Sequence, residues 1–316
     1  MCIISDATAD HAIAPAGYRH EAFFYTGARE FLDGTNAFVE DALRADETVR
    51  VALRAEKLDA LRAVLGGDAK RVTFVDMEQV GRNPARIIPA WRRFVDEAEG
   101  RRVRGIGEPI WADRSPDEMV ECQLHEALLN VAFTDADFWL LCPYDASALA
   151  SDVLAEARRN HAHVVEGGAS SPSEQYGPEI SVLDAPLAEP LCQPHEVAFD
   201  AASLAEVRGA VTTWVSPWLS ADRVVELVLA VHEVTANSVR HGGGHGVLRC
   251  WEHDGSVVCE VRDGGRIEHA MVGRQLPESD DEVGRGLWLA NQLCDLVQVR
   301  RFPDGSAVRL HLHIRR

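Results

Sequence analysis

Between residues 20 and 165, short apolar runs rich in β-branched and aromatic residues alternate with longer segments of helical period. The runs are His20–Tyr25, Thr48–Leu53, Val72–Met77, Val103–Ile110 and Phe138–Cys142. The helical stretches are Ala28–Leu43, Ala55–Leu65, Ala85–Ala98, Pro116–Ala132 and Ala146–Arg159, with Asp33-Gly34, Gly66-Gly67 and Gly100 breaking or ending segments. Such regular alternation predicts an α/β domain with a mostly parallel sheet.

The pattern then lapses. From Gly167-Gly168-Ala169-Ser170-Ser171-Pro172-Ser173 to Pro190 the chain is rich in Gly, Ser and Pro and carries no amphipathic period, which reads as a linker, flexible near its start. A different order follows. A strand over Glu196–Phe199 leads into a helix opened by Asp200 or Ser203 and ended by Pro217. A second helix, N-capped near Asp222, runs to His241 and stops at Gly242-Gly243-Gly244. Strands Gly246–Trp251 and Val257–Arg262 join through Asp254-Gly255, a hairpin signal. After a loop come a helix over Gly286–Leu293 and strands Leu296–Arg301 and Ala307–Ile314. Helices on one face of such a sheet predict a C-terminal α+β two-layer sandwich. The division expected is 1–166, a linker over 167–194, and 195–316.

The 316 residues suffice for two cores, and 46% hydrophobic with 26% charged residues is the mix of a globular protein. No apolar run reaches the ~18 residues of a membrane span, and Met1–Asp6 lacks the basic start of a secretion signal. Seven cysteines without a CxxC pair read as reduced thiols of a cytoplasmic protein, with no ligand spacing for zinc. A net charge of −18 disfavours direct nucleic-acid binding and suits a partner protein with a basic surface. Neither Lys57 nor Lys70 sits in a phosphate-loop motif, so a P-loop nucleotide site is excluded.

On the helix ending at His241, Glu233 and Asn237 are one turn apart on one face. An amide oxygen there can coordinate Mg²⁺ and a carboxylate can accept a proton. The pair alone is not diagnostic: His125-Glu126-Ala127-Leu128-Leu129-Asn130 repeats the pattern of His232-Glu233-Val234-Thr235-Ala236-Asn237. Only the second copy is followed by Asp263-Gly264-Gly265 at a strand end, so Glu126 and Asn130 are read as a decoy for nucleotide binding. Asp263 can accept from an exocyclic amine such as that of adenine, and Gly265 permits close approach. The polar stretch Arg266–Val283 is long enough for a lid. It ends at Gly284-Arg285-Gly286-Leu287, where a helix N-terminus favours phosphate, and Gly305-Ser306 opens the closing strand.

Glu233…Asn237, Asp263-Gly264-Gly265, Gly284-Arg285-Gly286-Leu287 and Gly305-Ser306, in that order, resemble the boxes of histidine-kinase-like ATPases over about 120 residues. With no phosphoacceptor helix before them, they are similar to the anti-sigma-factor serine/threonine kinase branch. The resemblance implies ATP and Mg²⁺ as cofactors, Asn237 as Mg²⁺ ligand, Asp263 on adenine, and Gly265, Gly284 and Gly286 shaping pocket and lid. Arg285, Leu287 and Ser306 complete the boxes, Arg240 and His241 lie near the phosphates, and Glu233 takes the general-base position. The usual last glycine of the Asp-x-Gly-x-Gly pattern is Ile267, which implies a stiffer hinge. Implied partners are a sigma factor and a STAS-type anti-anti-sigma protein, and a homodimer is admitted. A non-catalytic sigma-binding module and a sensor histidine kinase stay open as alternatives.

His20…Phe24-Tyr25, Arg104-Gly105-Ile106-Gly107-Glu108, Glu126…Asn130, and Leu141-Cys142-Pro143-Tyr144-Asp145 followed by His161 resemble the MEDS sensory domain over about residues 18–165. This implies signal input. His20, Glu108, Glu126, Cys142, Tyr144 and His161 are candidates for a sensed ligand's pocket. Packing accounts for each separately, and no spacing supports a Cys142/His161 metal site.

Overall fold

A computed structural model of the chain describes residues 17–276 and 284–314. Met1–Asp6 and residues 277–283 of the expected lid lie outside the described residues.

The N-terminal part runs β1 (Arg19–Tyr25), α1 (Gly27–Arg44), β2 (Thr48–Leu53), α2 (Ala55–Leu65), β3 (Val72–Asp76), α3 (Met77–Val80), α4 (Ile87–Glu97), β4 (Val103–Gly107), α5 (Pro116–Ala132), β5 (Phe138–Asp145), α6 (Ser151–Asn160), β6 (His163–Glu166) and β7 (Ala169–Pro172). The strands form a seven-stranded sheet in the order β3-β2-β4-β5-β1-β6-β7, parallel throughout except for the β6/β7 pair. Side chains alternate across it. Ala22, Phe24, Leu140, Cys142 and Tyr144 face a core with α4 and α5, while Phe23, Tyr25 and Leu141 face a second core with α1 and α2. Ser115 and Glu118 start α5 with a reciprocal capping box.

β7 occupies the start of the stretch read as a flexible linker. Gly167 and Gly168, at φ 56° and 79°, turn the chain back onto β6. A two-residue turn with both φ positive matches strand twist, and this outweighs the low strand propensity of Ala169-Ser170-Ser171. Farther on, Leu183 and Leu187 are buried, Arg301 grips Asp184 with two 2.9 Å bonds, and Arg249 and Arg262 reach Glu189 at 2.8 and 2.7 Å. The segment is fastened along the C-terminal sheet.

The C-terminal part runs β8 (His195–Asp200), α7 (Leu204–Val215), α8 (Ala221–His241), β9 (His245–His253), β10 (Ser256–Asp263), α9 (Arg285–Leu293), β11 (Leu296–Phe302) and β12 (Gly305–His313). Its antiparallel sheet has the order β11-β12-β10-β9-β8. Val207, Val211, Leu227, Val231 and Val234 of α7 and α8 pack on Leu248, Val257, Cys259, Leu310 and Leu312. Asp254 and Gly255, at φ 45° and 70°, make the expected hairpin turn. The second helix is capped at Ser220, two residues before the expected Asp222.

The two parts share a polar interface. Arg86 donates to the carbonyls of Asn291, Gln292 and Cys294 at 2.8, 2.6 and 2.9 Å. These acceptors at the C-terminal end of α9 carry partial negative charge that a guanidinium satisfies. Asn83 donates to Asn291 Oδ1 at 3.0 Å, and Arg82 pairs with Asp295 at 3.1 Å. Ala270 and Met271, in the first half of the expected lid, pack against the N-terminal core.

Candidate functional site

Glu233 and Asn237 lie on the half-buried face of α8 near its C-terminus. Gly286, in the first turn of α9, comes directly against them. A Cβ there would stand 2.9 Å from Glu233 Oε2 and 2.9 Å from Asn237 Nδ2. Residues some fifty positions apart thus meet, and a side chain at 286 would displace the ends of Glu233 and Asn237. Asn237 Oδ1 accepts from Arg240 Nη2 at 3.0 Å, which ties Arg240 to the pair. Gly284 caps α9 at φ 90°, a left-handed conformation suited to glycine. Arg285 is exposed, whereas the Leu287 side chain is buried in the C-terminal core. Leu287 therefore serves packing, and only its backbone faces the helix start.

Asp263, at the end of β10, is held from three sides. Oδ1 accepts from Gly265 N–H at 2.8 Å and Ser306 Oγ at 3.0 Å, and Oδ2 accepts from Ser238 Oγ. Ser238 follows Asn237 on α8, so one helix carries both halves of the site. The sequence reading missed Ser238; its only signal is a small hydroxyl on the helix's buried face. A Cβ at Gly265 would lie 2.8 Å from Gly242 Cα, and one at Gly305 would overlap Asp263 O. The protein's own chains need the space at Gly265. His241 is exposed at the helix end. Ile267, in place of the missing glycine, packs against the C-terminal core.

The N-terminal candidates divide differently from expectation. His20, Glu126, Cys142 and His161 converge, with one ligand-type atom from each lying within 4.8 Å of the others. The signal was absent from spacing because four different elements supply the four residues: β1, α5, β5 and the C-cap of α6. Burial, then the neighbouring His161, pushes His20 down to about 4. Burial would raise Glu126, but the adjacent imidazoles of His161 and His20 reverse that and hold it below the usual carboxylate range. His161 also caps α6 through Nδ1 and the Ala157 carbonyl. The Tyr144 ring meets the His161 ring edge-on at 5.6 Å.

Glu108 stands apart. It accepts from Tyr25 OH at 3.2 Å and pairs with Lys57, and burial raises its pKa against the pull of Lys57. Cavities of about 1010, 780 and 550 Å³ are lined by none of the six candidates. The 780 Å³ cavity opens on the opposite face of the sheet, between Arg19, Glu21, Phe38, Arg104 and Trp139. Four of the six, His20, Glu126, Cys142 and His161, close on one another. Glu126 and Asn130 lie on α5, apart from the α8/α9 site.

Residues 19–162 match the family model described as "MEthanogen/methylotroph, DcmR Sensory domain", MEDS, and residues 197–312 match "Histidine kinase-like ATPase domain". The chain joins a MEDS domain to a histidine kinase-like ATPase domain. The ATPase domain implies a nucleotide ligand, and both of its box clusters fall inside the matched residues. No curated protein matches the chain. A structure of the RsbU and RsbW domains of Rv1364c from Mycobacterium tuberculosis is 19% identical, covers 40% of this chain and 33% of that one, and has a TM-score of 0.31. The Acinetobacter baumannii histidine kinase AdeS is 10% identical over 40% of this chain and 70% of that one, with a TM-score of 0.24. The chain spans about a third of the M. tuberculosis protein. Among the described residues no helix is long and apolar enough to cross a membrane.

Proposed function

We propose that the chain is an anti-sigma-factor regulator in which the ATPase domain, residues 195–316, binds Mg·ATP and a sigma factor. In this reading it phosphorylates a serine or threonine of a STAS-type anti-anti-sigma protein, with signal input through residues 1–166. The observation that carries it is the contact of Gly286 with Glu233 and Asn237. It sets a glycine-opened helix N-terminus, suited to phosphate, against Asn237, whose amide oxygen is suited to Mg²⁺, and against the Glu233 carboxylate, suited to a proton. Asp263, braced by Ser238, Ser306 and Gly265, is the adenine acceptor.

Mg·ATP, when bound, supplies the phosphoryl group. Glu233 would take the proton of the partner's hydroxyl as its oxygen bonds the γ-phosphorus and the bond to ADP breaks, with ADP leaving; Asn237 would hold the metal, and the backbone N–H groups from Gly284 to Leu287 would receive phosphate charge. Arg240, which donates to Asn237 Oδ1 at 3.0 Å, would stand beside the phosphates once that oxygen holds the metal. The phosphate adds about −1.5 to −2 charges to the partner and opposes its docking on a chain of net charge −18.

The test incubates the full chain with γ-labelled ATP and candidate antagonists. Acid-stable label on the antagonist, lost in Glu233→Gln with nucleotide affinity retained, supports the kinase. Nucleotide binding without label supports a sigma-binding module. Acid-labile label on the chain itself would make it a sensor histidine kinase, and absence of Mg·ATP binding would sink the reading.

A further inference from the structure

The imidazoles of His20 and His161 are both oriented by acceptors behind them. His161 Nδ1 lies 2.7 Å from the Ala157 carbonyl, which can only accept. His20 Nδ1 lies 3.3 Å from Asn130 Oδ1. That amide cannot be reversed without loss, because its Nδ2 already donates to the Asn160 carbonyl at 2.8 Å. Each Nδ1 therefore carries the proton, and each Nε2 presents a lone pair inward.

What the lone pairs face is another set of electron-pair donors. His20 Nε2 is 3.0 Å from Glu126 Oε2 and 3.3 Å from Cys142 Sγ, and His161 Nε2 is 3.4 Å from Glu126 Oε2. Glu126 Oε1 and His161 Nε2 have no hydrogen-bond partner, although both are buried. Protonating both imidazoles would set two like charges on rings whose centroids are 3.9 Å apart. A single cation in the middle answers all four donors at once.

We infer that His20, Glu126, Cys142 and His161 form a metal site for one divalent transition ion, zinc by its donor set. Bonds of ~2.0–2.3 Å put tetrahedral ligand atoms roughly 3.3–3.7 Å apart, close to the spacings found. The ligands are 3%, 0%, 1% and 0% exposed, so the site must be near neutral. A carboxylate and a thiolate balance a divalent ion. Thiolate and imidazole argue against Mg²⁺ and Ca²⁺. Asn130 and Ala157 are the outer partners that metal-binding histidines normally have. A space closed within 4.8 Å admits an ion and excludes an organic molecule. The site lies outside the ATPase domain and does not rest on ATP binding.

The experiment uses full-length protein made in zinc-depleted medium and titrated with Co²⁺, then Zn²⁺. Saturation is expected at one equivalent, with a thiolate-to-cobalt charge-transfer band and tetrahedral ligand-field bands, both displaced by zinc. Cys142→Ser should lose the charge-transfer band, and substitution of the exposed Cys192 by Ser should keep it. Should Cys142→Ser fail to fold, X-ray absorption of the zinc-loaded native chain should show one sulfur and three nitrogen or oxygen neighbours. No binding at one equivalent, a band that survives Cys142→Ser, or a shell without sulfur would overturn the site.

Discussion

Glu121 of α5 lies between two arginines of the other domain, 2.8 Å from Arg300 on β11 and 3.1 Å from Arg274 in the lid segment. All three are buried. A carboxylate of the MEDS domain is thereby shared between two guanidiniums of the ATPase domain, one of them in the segment that precedes α9. Glu126, on the same helix, faces the histidine cluster about 7.5 Å farther along the axis. Removing one partner of a buried pair costs about 3–5 kcal/mol, because the remaining charge is left uncompensated. Glu121→Gln is expected to lower stability by that order and to speed protease cleavage near Arg274. Unchanged denaturation and cleavage would show that the contact does not hold the lid.

Gly286→Ala separates site from scaffold. Alanine is favoured over glycine within a helix by up to ~1 kcal/mol, yet its Cβ would press on Glu233 and Asn237 at 2.9 Å. The melting temperature should change little while the Kd for Mg·ATP rises tenfold or more, about 1.4 kcal/mol. Calorimetric titration reads this directly, and an unaltered Kd would place the nucleotide elsewhere.

Asp263→Asn keeps an oxygen for Gly265 N–H and Ser306, and Ser238 can turn to accept from the new amide. The fold should persist. An adenine amine facing an amide in place of a carboxylate loses a charge-assisted bond, worth about 1.5–3 kcal/mol. ATP affinity should fall roughly tenfold to a hundredfold, with that of inorganic triphosphate unchanged. Equal losses for both ligands would argue against an adenine contact.

His311 on β12 gives the ATPase domain a pH dependence. Burial, then Arg309, lowers its pKa to about 3, and Nε2 meets Gln298 Oε1 at 3.0 Å. The folded state keeps it neutral while the unfolded chain protonates near 6.5. Stability from this group is therefore complete above pH 6.5 and declines as pH falls toward 3, by about 2 kcal/mol at pH 5. Urea denaturation at pH 7 and pH 5 should show His311→Gln losing less than the native chain, and equal losses would remove the assignment.

Hydrophobic periodicity marked most of the strands and helices, because a buried face must repeat every two or 3.6 residues whatever it packs against. It failed at β7, where two glycines at positive φ turn a serine-rich stretch onto β6, and along 183–189, where arginines of the C-terminal sheet hold a segment with no period of its own. The ATPase boxes were legible because each is a local backbone requirement, as at Gly284 and Gly286, or a side chain one helical turn from its mate, as at Glu233 and Asn237. Ser238, Arg274 and Glu121 were not, since their partners lie in other elements. The first His-Glu-x-x-x-Asn copy shows the division most sharply. By itself the sequence determined that Glu126 and Asn130 share a helix face and lack the glycines of a nucleotide site. Only the tertiary structure decided that this face meets His20, Cys142 and His161, because strand order, which brings β1 between β5 and β6, is set by long-range packing and not by spacing along the chain.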